Sequence, residues 1–152
     1  VAHEHSYTAT LKNNKTENTA ADFLLASDLR FRQPNKEERK EVLKRLDLPT
    51  TFSRAFDLVL LPSVDSIDIF STPIEELILI ELKTTQKKLI NNPDGFFFGA
   101  TENEFRLADK LAERYRFCFI SLHPESKSYA LLSLKELDIR IKTKRVQYQI
   151  NL

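Results

Sequence analysis

Two short apolar runs, each interrupted by an acid, dominate the hydrophobic pattern of this chain: Ala55-Phe-Asp-Leu-Val-Leu-Leu61 and Leu77-Ile-Leu-Ile-Glu-Leu-Lys83. Continuous runs of Val, Ile and Leu of this length read as strands buried on both faces. Helical spacing precedes them. A first helix is predicted over about 16–29, packing through Phe23, Leu24 and Leu29. A second opens at Asn35, where Asn35-Lys-Glu-Glu38 has the form of a capping box; it turns Val42, Leu43 and Leu46 inward and ends before Pro49. The mixed charges over 36–45 read as a solvated face. After the 55–61 strand stops at Pro62, the weaker run 66–70 either pairs as a hairpin partner or stays a loop. The 77–83 strand follows. Asn91-Asn-Pro-Asp-Gly95 is a turn cluster, and Phe96-Phe-Phe98 is apolar without a clear period. Thr101-Glu-Asn-Glu104 is another capping box, opening a helix to about Tyr115 with Phe105, Ala108, Leu111, Ala112 and Tyr115 on one face. Strands at 117–122 and 128–132, a helical turn at 134–137 and a last strand near 146–150 complete the order.

The helix between the 77–83 and 117–122 strands is a crossover, which makes those strands parallel. The expected class is therefore α/β, a central mixed sheet flanked by helices. One domain over 1–152 is expected, with two N-terminal helices at about 16–47 and a sheet core at about 55–151. With 152 residues, 41% hydrophobic and 30% charged, the chain has enough apolar mass for a real core.

Composition excludes several classes. Only two glycines are present, Gly95 and Gly99, so a Gly-rich phosphate loop or a dinucleotide fingerprint is ruled out. No zinc-ligand pattern and no Ser-His-Asp arrangement is visible. The single Cys118 cannot form an internal disulfide and fits a reducing, cytoplasmic setting; its place in a core-strand pattern marks a buried structural thiol. No apolar run approaches a membrane span and no signal peptide is visible. The chain begins at Val1 and not at Met, which reads as a piece processed or excised from something larger. His3 and His5 are weak metal candidates on a mobile end.

Net charge is +1, which by itself announces no polyanionic partner. The distribution says more. Arg140, Lys142, Lys144 and Arg145 fall in a stretch from 140 to 152 that holds no acid. Such a strip either faces phosphate or guards an edge strand with lysines.

The acids inside the strands carry the chemistry. Side chains alternate along a strand, so Glu81 and Lys83 share a face. A carboxylate within an apolar run is costly to bury without a cation, a metal or good hydrogen bonds. Two carboxylates and a lysine so placed suggest a small metal-binding, phosphate-handling site. The competing structural reading is a salt bridge at a strand end with Asp57 capping a loop.

Asp57, then twenty-three residues, then Glu81-Leu82-Lys83, on two strong strands before a crossover helix, resembles the PD-(D/E)XK nuclease superfamily. This is the fold of many restriction endonucleases, repair nucleases and Holliday-junction resolvases. The resemblance runs from the 55–61 strand to the 117–122 strand, roughly half the chain. Phe56 stands where the family often has Pro. The resemblance implies a restriction-endonuclease-like core and a metal-dependent endonuclease that hydrolyses phosphodiester bonds in DNA. It implies Asp57, Glu81 and Lys83 as the catalytic residues, with one or two Mg2+ (or Mn2+) ions on Asp57, Glu81 and the backbone carbonyl of Leu82. Lys83 would orient the attacking water or stabilise developing charge. A dimer or a larger protein assembly is expected. The alternative is an inactive module of the same fold that binds nucleic acid or a protein partner.

Supporting residues stay open. Lys87 and Lys88 either approach the phosphate backbone, with Arg140, Lys142, Lys144 and Arg145, or lie in a solvated loop. Thr84, Thr85 and Gln86 could position substrate or water. Family members often add an acid from the first helix, and Glu17, Asp22 and Asp28 all qualify. Glu102 and Glu104 read as first-turn acids that complement the helix dipole. His123 reads as a loop histidine.

Overall fold

The structure is a computed structural model and describes residues 16–152. Helix α1 covers 16–27. It is followed by β1 (Phe31–Arg32), α2 (Lys36–Arg45), β2 (Leu58–Leu60), β3 (Ile78–Thr85), α3 (Glu102–Leu111), β4 (Tyr115–Ser121), β5 (Ser128–Leu132) and α4 (Leu134–Arg140). The strands form one five-stranded sheet in the order β1-β2-β3-β4-β5. Pairing is antiparallel except between β3 and β4, which run parallel across the α3 crossover. A mixed central sheet with flanking helices is the class the hydrophobic pattern predicts.

Local chemistry starts α2, α3 and α4. Asn35 accepts from the Glu38 N–H while Glu38 takes the Asn35 N–H, and Thr101 with Glu104 and Ser133 with Glu136 repeat the device. Such caps contribute about 1 kcal/mol each.

Alternation along β3 sorts the core into two layers. Leu79 joins Val59, Phe117, Phe119, Leu107 and Val42 on one face. Ile80 joins Leu58, Cys118, Ile120 and Phe31 on the other, under Ala20 and Leu24 of α1. Cys118 is fully buried and burial pushes its thiol well above the ordinary range, as a structural cysteine requires.

Several expectations fail for identifiable reasons. No strand forms at 146–150; the chain beyond Ile141 is exposed and pairs with no described strand, so among the described residues the sheet ends with β5. Those residues alternate in hydrophobicity, but alternation cannot supply a partner edge. Helix α1 stops at residue 27, which leaves Leu29 66% exposed in a turn. Helix α3 ends at Leu111, because Ala112 takes a left-handed φ of 50° and Tyr115 opens β4. Segment 66–70 is a loop that buries Ile69. Phe96 and Phe98 lie in a loop as well, each edge-on to Phe119 at 5.0 Å. The two-residue strand β1 has too little sequence to announce itself. His3 and His5 lie outside the described residues.

Candidate metal and phosphate site

The site begins where a strand runs out. β2 pairs with β3 only over Ile78, Leu79 and Ile80, although β3 continues to Thr85. Asp57 takes over at that point. Its N–H bonds the Ile80 carbonyl at 2.7 Å, and its Oδ2 accepts from the Leu82 N–H at 2.8 Å. A carboxylate thus replaces a backbone acceptor in the ladder. The N–H and C=O of one strand residue project to the same side, so the Leu82 carbonyl faces the same notch. Glu17, Asn18 and Ala21 of α1 close the notch into a small cleft with Gln33, Arg39 and Asp57.

Glu81 is 7% exposed. Its Oε1 lies 3.4 Å from Lys83 Nζ, and among the described residues no donor reaches its buried Oε2, the carboxyl facing that of Asp57. Burial, then the charge on Asp57, with Glu104 adding and Lys83 opposing, pushes the Glu81 carboxyl up to about 10. Without a further cation the side chain holds a proton at neutral pH.

Lys83 has a second anion. Its Nζ lies 2.5 Å from Glu104 Oε1, and Glu104 is 4% exposed. The other oxygen, Glu104 Oε2, accepts from the Thr101 N–H at 3.2 Å and the Thr101 hydroxyl at 2.7 Å. One carboxylate therefore both caps α3 and fixes Lys83. The sequence places Glu104 in the capping box and against the helix dipole, and its hold on Lys83 comes only from the fold. The available signal was that a capping-box acid needs only one oxygen for its box.

Arg39 was missed as well. Its guanidinium donates to the carbonyls of Ser53 (2.9 Å), Phe56 and Asp57 (3.1 Å) and stacks 5.1 Å from the Phe56 ring centroid. It clamps the backbone that leads into Asp57. Burial lowers its pKa, and the charges of Asp57 and Glu81 oppose that. The signal was periodicity: Arg39 precedes the buried Val42 and Leu43 by three and four positions, so it shares their helix face. Tyr115 holds the segment from the other side, its hydroxyl donating to the Ala55 carbonyl at 2.5 Å.

Among the candidate first-helix acids the geometry favours Glu17. Its pKa is raised by burial and by the charge on Asp57, with Lys83 opposing, so it stands in the same field. Glu17 also lines the cleft beside Asp57, whereas Asp28 is held by Arg30 at 2.8 Å and Asp22 is not among the cleft residues.

The basic candidates are not gathered here. Lys87 is exposed beyond the end of β3, and Lys88 pairs with Glu125 at 2.5 Å. Arg140 pairs with Asp94 at 3.4 Å, Lys144 lies 4.6 Å from the Phe105 ring centroid, and Lys142 and Arg145 are exposed. His123 is in a turn, its Nδ1 accepting from the Glu125 N–H.

The donor set suits a hard divalent ion. Among the described residues no group of three or more His, Cys, Asp or Glu side chains forms a ready cage. Mg2+ keeps most of its waters and needs only one or two carboxylates. Asp57, Glu81 and the Leu82 carbonyl meet that need, and an ion bound there would take the place of the proton that Glu81 otherwise holds.

Comparison of the chain with family models, with characterised proteins and with solved structures finds no match.

Proposed function

We propose that this chain is a metal-dependent endonuclease of the PD-(D/E)XK type, cutting phosphodiester bonds in DNA. One observation carries the reading. Asp57, Glu81 and Lys83 meet where β2 stops covering β3, and a buried oxygen of Glu81 has no donor among the described residues while its carboxyl faces that of Asp57. A cation bound between the two carboxyls would stabilise both.

Asp57, Glu81 and the Leu82 carbonyl would hold Mg2+ or Mn2+. The ion supplies an acidified water and neutralises charge on the phosphoryl oxygens. Asp57 is presented by its bond to the Leu82 N–H and by Arg39 beneath its backbone. Glu81 must surrender its proton to bind the ion. With Glu81 engaged by an ion, Lys83 would keep Glu104 as its anion, and its ammonium would stay positioned to orient water or to meet developing charge. Glu104 acts through Lys83 and is a positioning residue.

The test pairs calorimetry with plasmid nicking, in the wild-type chain and in Asp57→Ala/Glu81→Ala. The reading expects Mg2+ or Mn2+ binding and nicking, both lost in the double variant. Nicking that survives the double substitution refutes the assignment. DNA binding indifferent to Mg2+ and to Glu81→Gln, with no nicking, selects the inactive binding module instead.

A further inference from the structure

A cleft of about 470 Å3 opens beside Asp57, between α2 and residues 50–57. Lys36, Lys40 and Arg54 line it, with Thr50 and Ser53, and Asp57 is its single acid. All three cations are exposed. Lys36 and Arg54 form no ion pair with a described residue, and Lys40 reaches Glu37 only at 3.9 Å. Three like charges on one concave wall repel one another, and Asp57 within the cleft and Glu37 beside Lys40 offset this only in part. The floor beneath them is rigid, because Arg39 ties the carbonyls of Ser53, Phe56 and Asp57 together. Of the cations marked by the sequence, Lys88, Arg140 and Lys144 are engaged by Glu125, Asp94 and Phe105 respectively, and Lys87, Lys142 and Arg145 are exposed but do not line this cleft.

We infer that this cleft seats the sugar-phosphate backbone of duplex DNA on its way to Asp57, with Lys36, Lys40 and Arg54 each against a phosphate. The assignment rests on the nuclease reading above for the nature of the polyanion. Hydroxyl donors from Thr50 and Ser53 are the usual companions of such cations at phosphate oxygens. The contacts are sequence-independent, so the cleft sets register and affinity and not base choice.

The experiment measures anisotropy of a short fluorescent duplex with the whole chain in EDTA, where no cleavage occurs. Wild type is compared with Lys36→Gln/Lys40→Gln/Arg54→Gln and with Lys142→Gln/Lys144→Gln/Arg145→Gln. The altered side chains are exposed, and thermal melting verifies the fold of each variant. The cleft variant is expected to bind on the order of tenfold more weakly and to flatten the slope of log K against log salt by about 2 to 3. The C-terminal variant is expected to keep most of both. Unchanged affinity and slope in the cleft variant overturn the inference, as does a wild type that fails to bind duplex. Nicking in Mg2+ is scored separately. Cleft-dependent binding without nicking keeps the cleft and refutes the enzyme, whereas nicking with an indifferent cleft does the reverse.

Discussion

Lys83 and Lys88 each hold a glutamate at 2.5 Å, yet the two ion pairs belong to different kinds of structure. The Lys88–Glu125 side chains are 55% and 64% exposed, those of Lys83 and Glu104 11% and 6%. Water and salt screen the outer pair, which contributes about 0–1 kcal/mol. The inner lysine answers two carboxylates in a dry layer, where each charge depends on the others. Equal distance therefore says little about energy; burial decides. It also bears on purpose. Leu79, two residues earlier on the same face of β3, shows that this layer accepts aliphatic residues, so a chain selected for stability alone has a simpler solution at position 81.

The strongest way to break this contrast is to remove each lysine. Lys83→Met is expected to abolish nicking and to lower stability by about 3 kcal/mol, since Glu104 is left buried with no cation. Lys88→Met should shift stability by less than about 0.5 kcal/mol. Urea denaturation of the two variants measures both. Equal losses would mean that burial does not separate the pairs.

Glu81→Gln should act in the opposite direction. The folded pKa of Glu81, about 10, lies above the ordinary carboxyl value of 4.5, so the folded state prefers the protonated form. Stability linked to that proton is fully present below the ordinary value and is lost as pH rises towards 10. The glutamine variant does not titrate. It should melt higher than wild type, by about 1–3 kcal/mol near pH 8, with a gap that widens from about pH 5 to pH 9. Metal binding should vanish in it, while in wild type the affinity for Mg2+ rises with pH over the same range as the ion displaces the proton. Melting curves and calorimetry across pH read both effects. A glutamine variant that melts lower at every pH contradicts the picture of Glu81 as an acid held without its partner.

How much of this was readable beforehand depends on which neighbours a residue needs. The strands around Asp57 and Glu81, the parallel crossover and the capping boxes at Asn35 and Thr101 rest on local pattern, and they were legible. The exposed tail at 146–150 carries a strand's alternation, but no sequence rule shows that β5 leaves it unpaired. Arg39 looked like one more charge on a solvated helix, because its three carbonyl acceptors lie 14 to 18 residues away. The cleft beside it was invisible for the same reason: Lys36 and Arg54 meet only once β2 has been placed. The grouping of Asp57, Glu81 and Lys83 follows from spacing, but which of Glu17, Asp22 and Asp28 lines the cleft beside Asp57 does not.

The smallest effect sharpens the comparison most, because two helices carry the same capping box with different loads. Glu104 opens α3 and Glu136 opens α4, each bonded to the cap residue three positions earlier. Glu136 adds only an outer contact to Arg116 at 3.5 Å, whereas Glu104 holds Lys83. Glutamine is accepted in a capping box, so Gln at either position keeps most of the helix start. Glu136→Gln should cost less than about 1 kcal/mol and leave nicking unchanged. Glu104→Gln should cost about 1 kcal/mol or slightly more, lower kcat about tenfold and leave KM and Mg2+ affinity near wild type, because the ammonium is no longer fixed while the ion's ligands are intact. A kcat loss shared equally by the two variants would assign the effect to helix capping. A loss confined to Glu104→Gln separates the carboxylate's hold on Lys83 from its service to the helix.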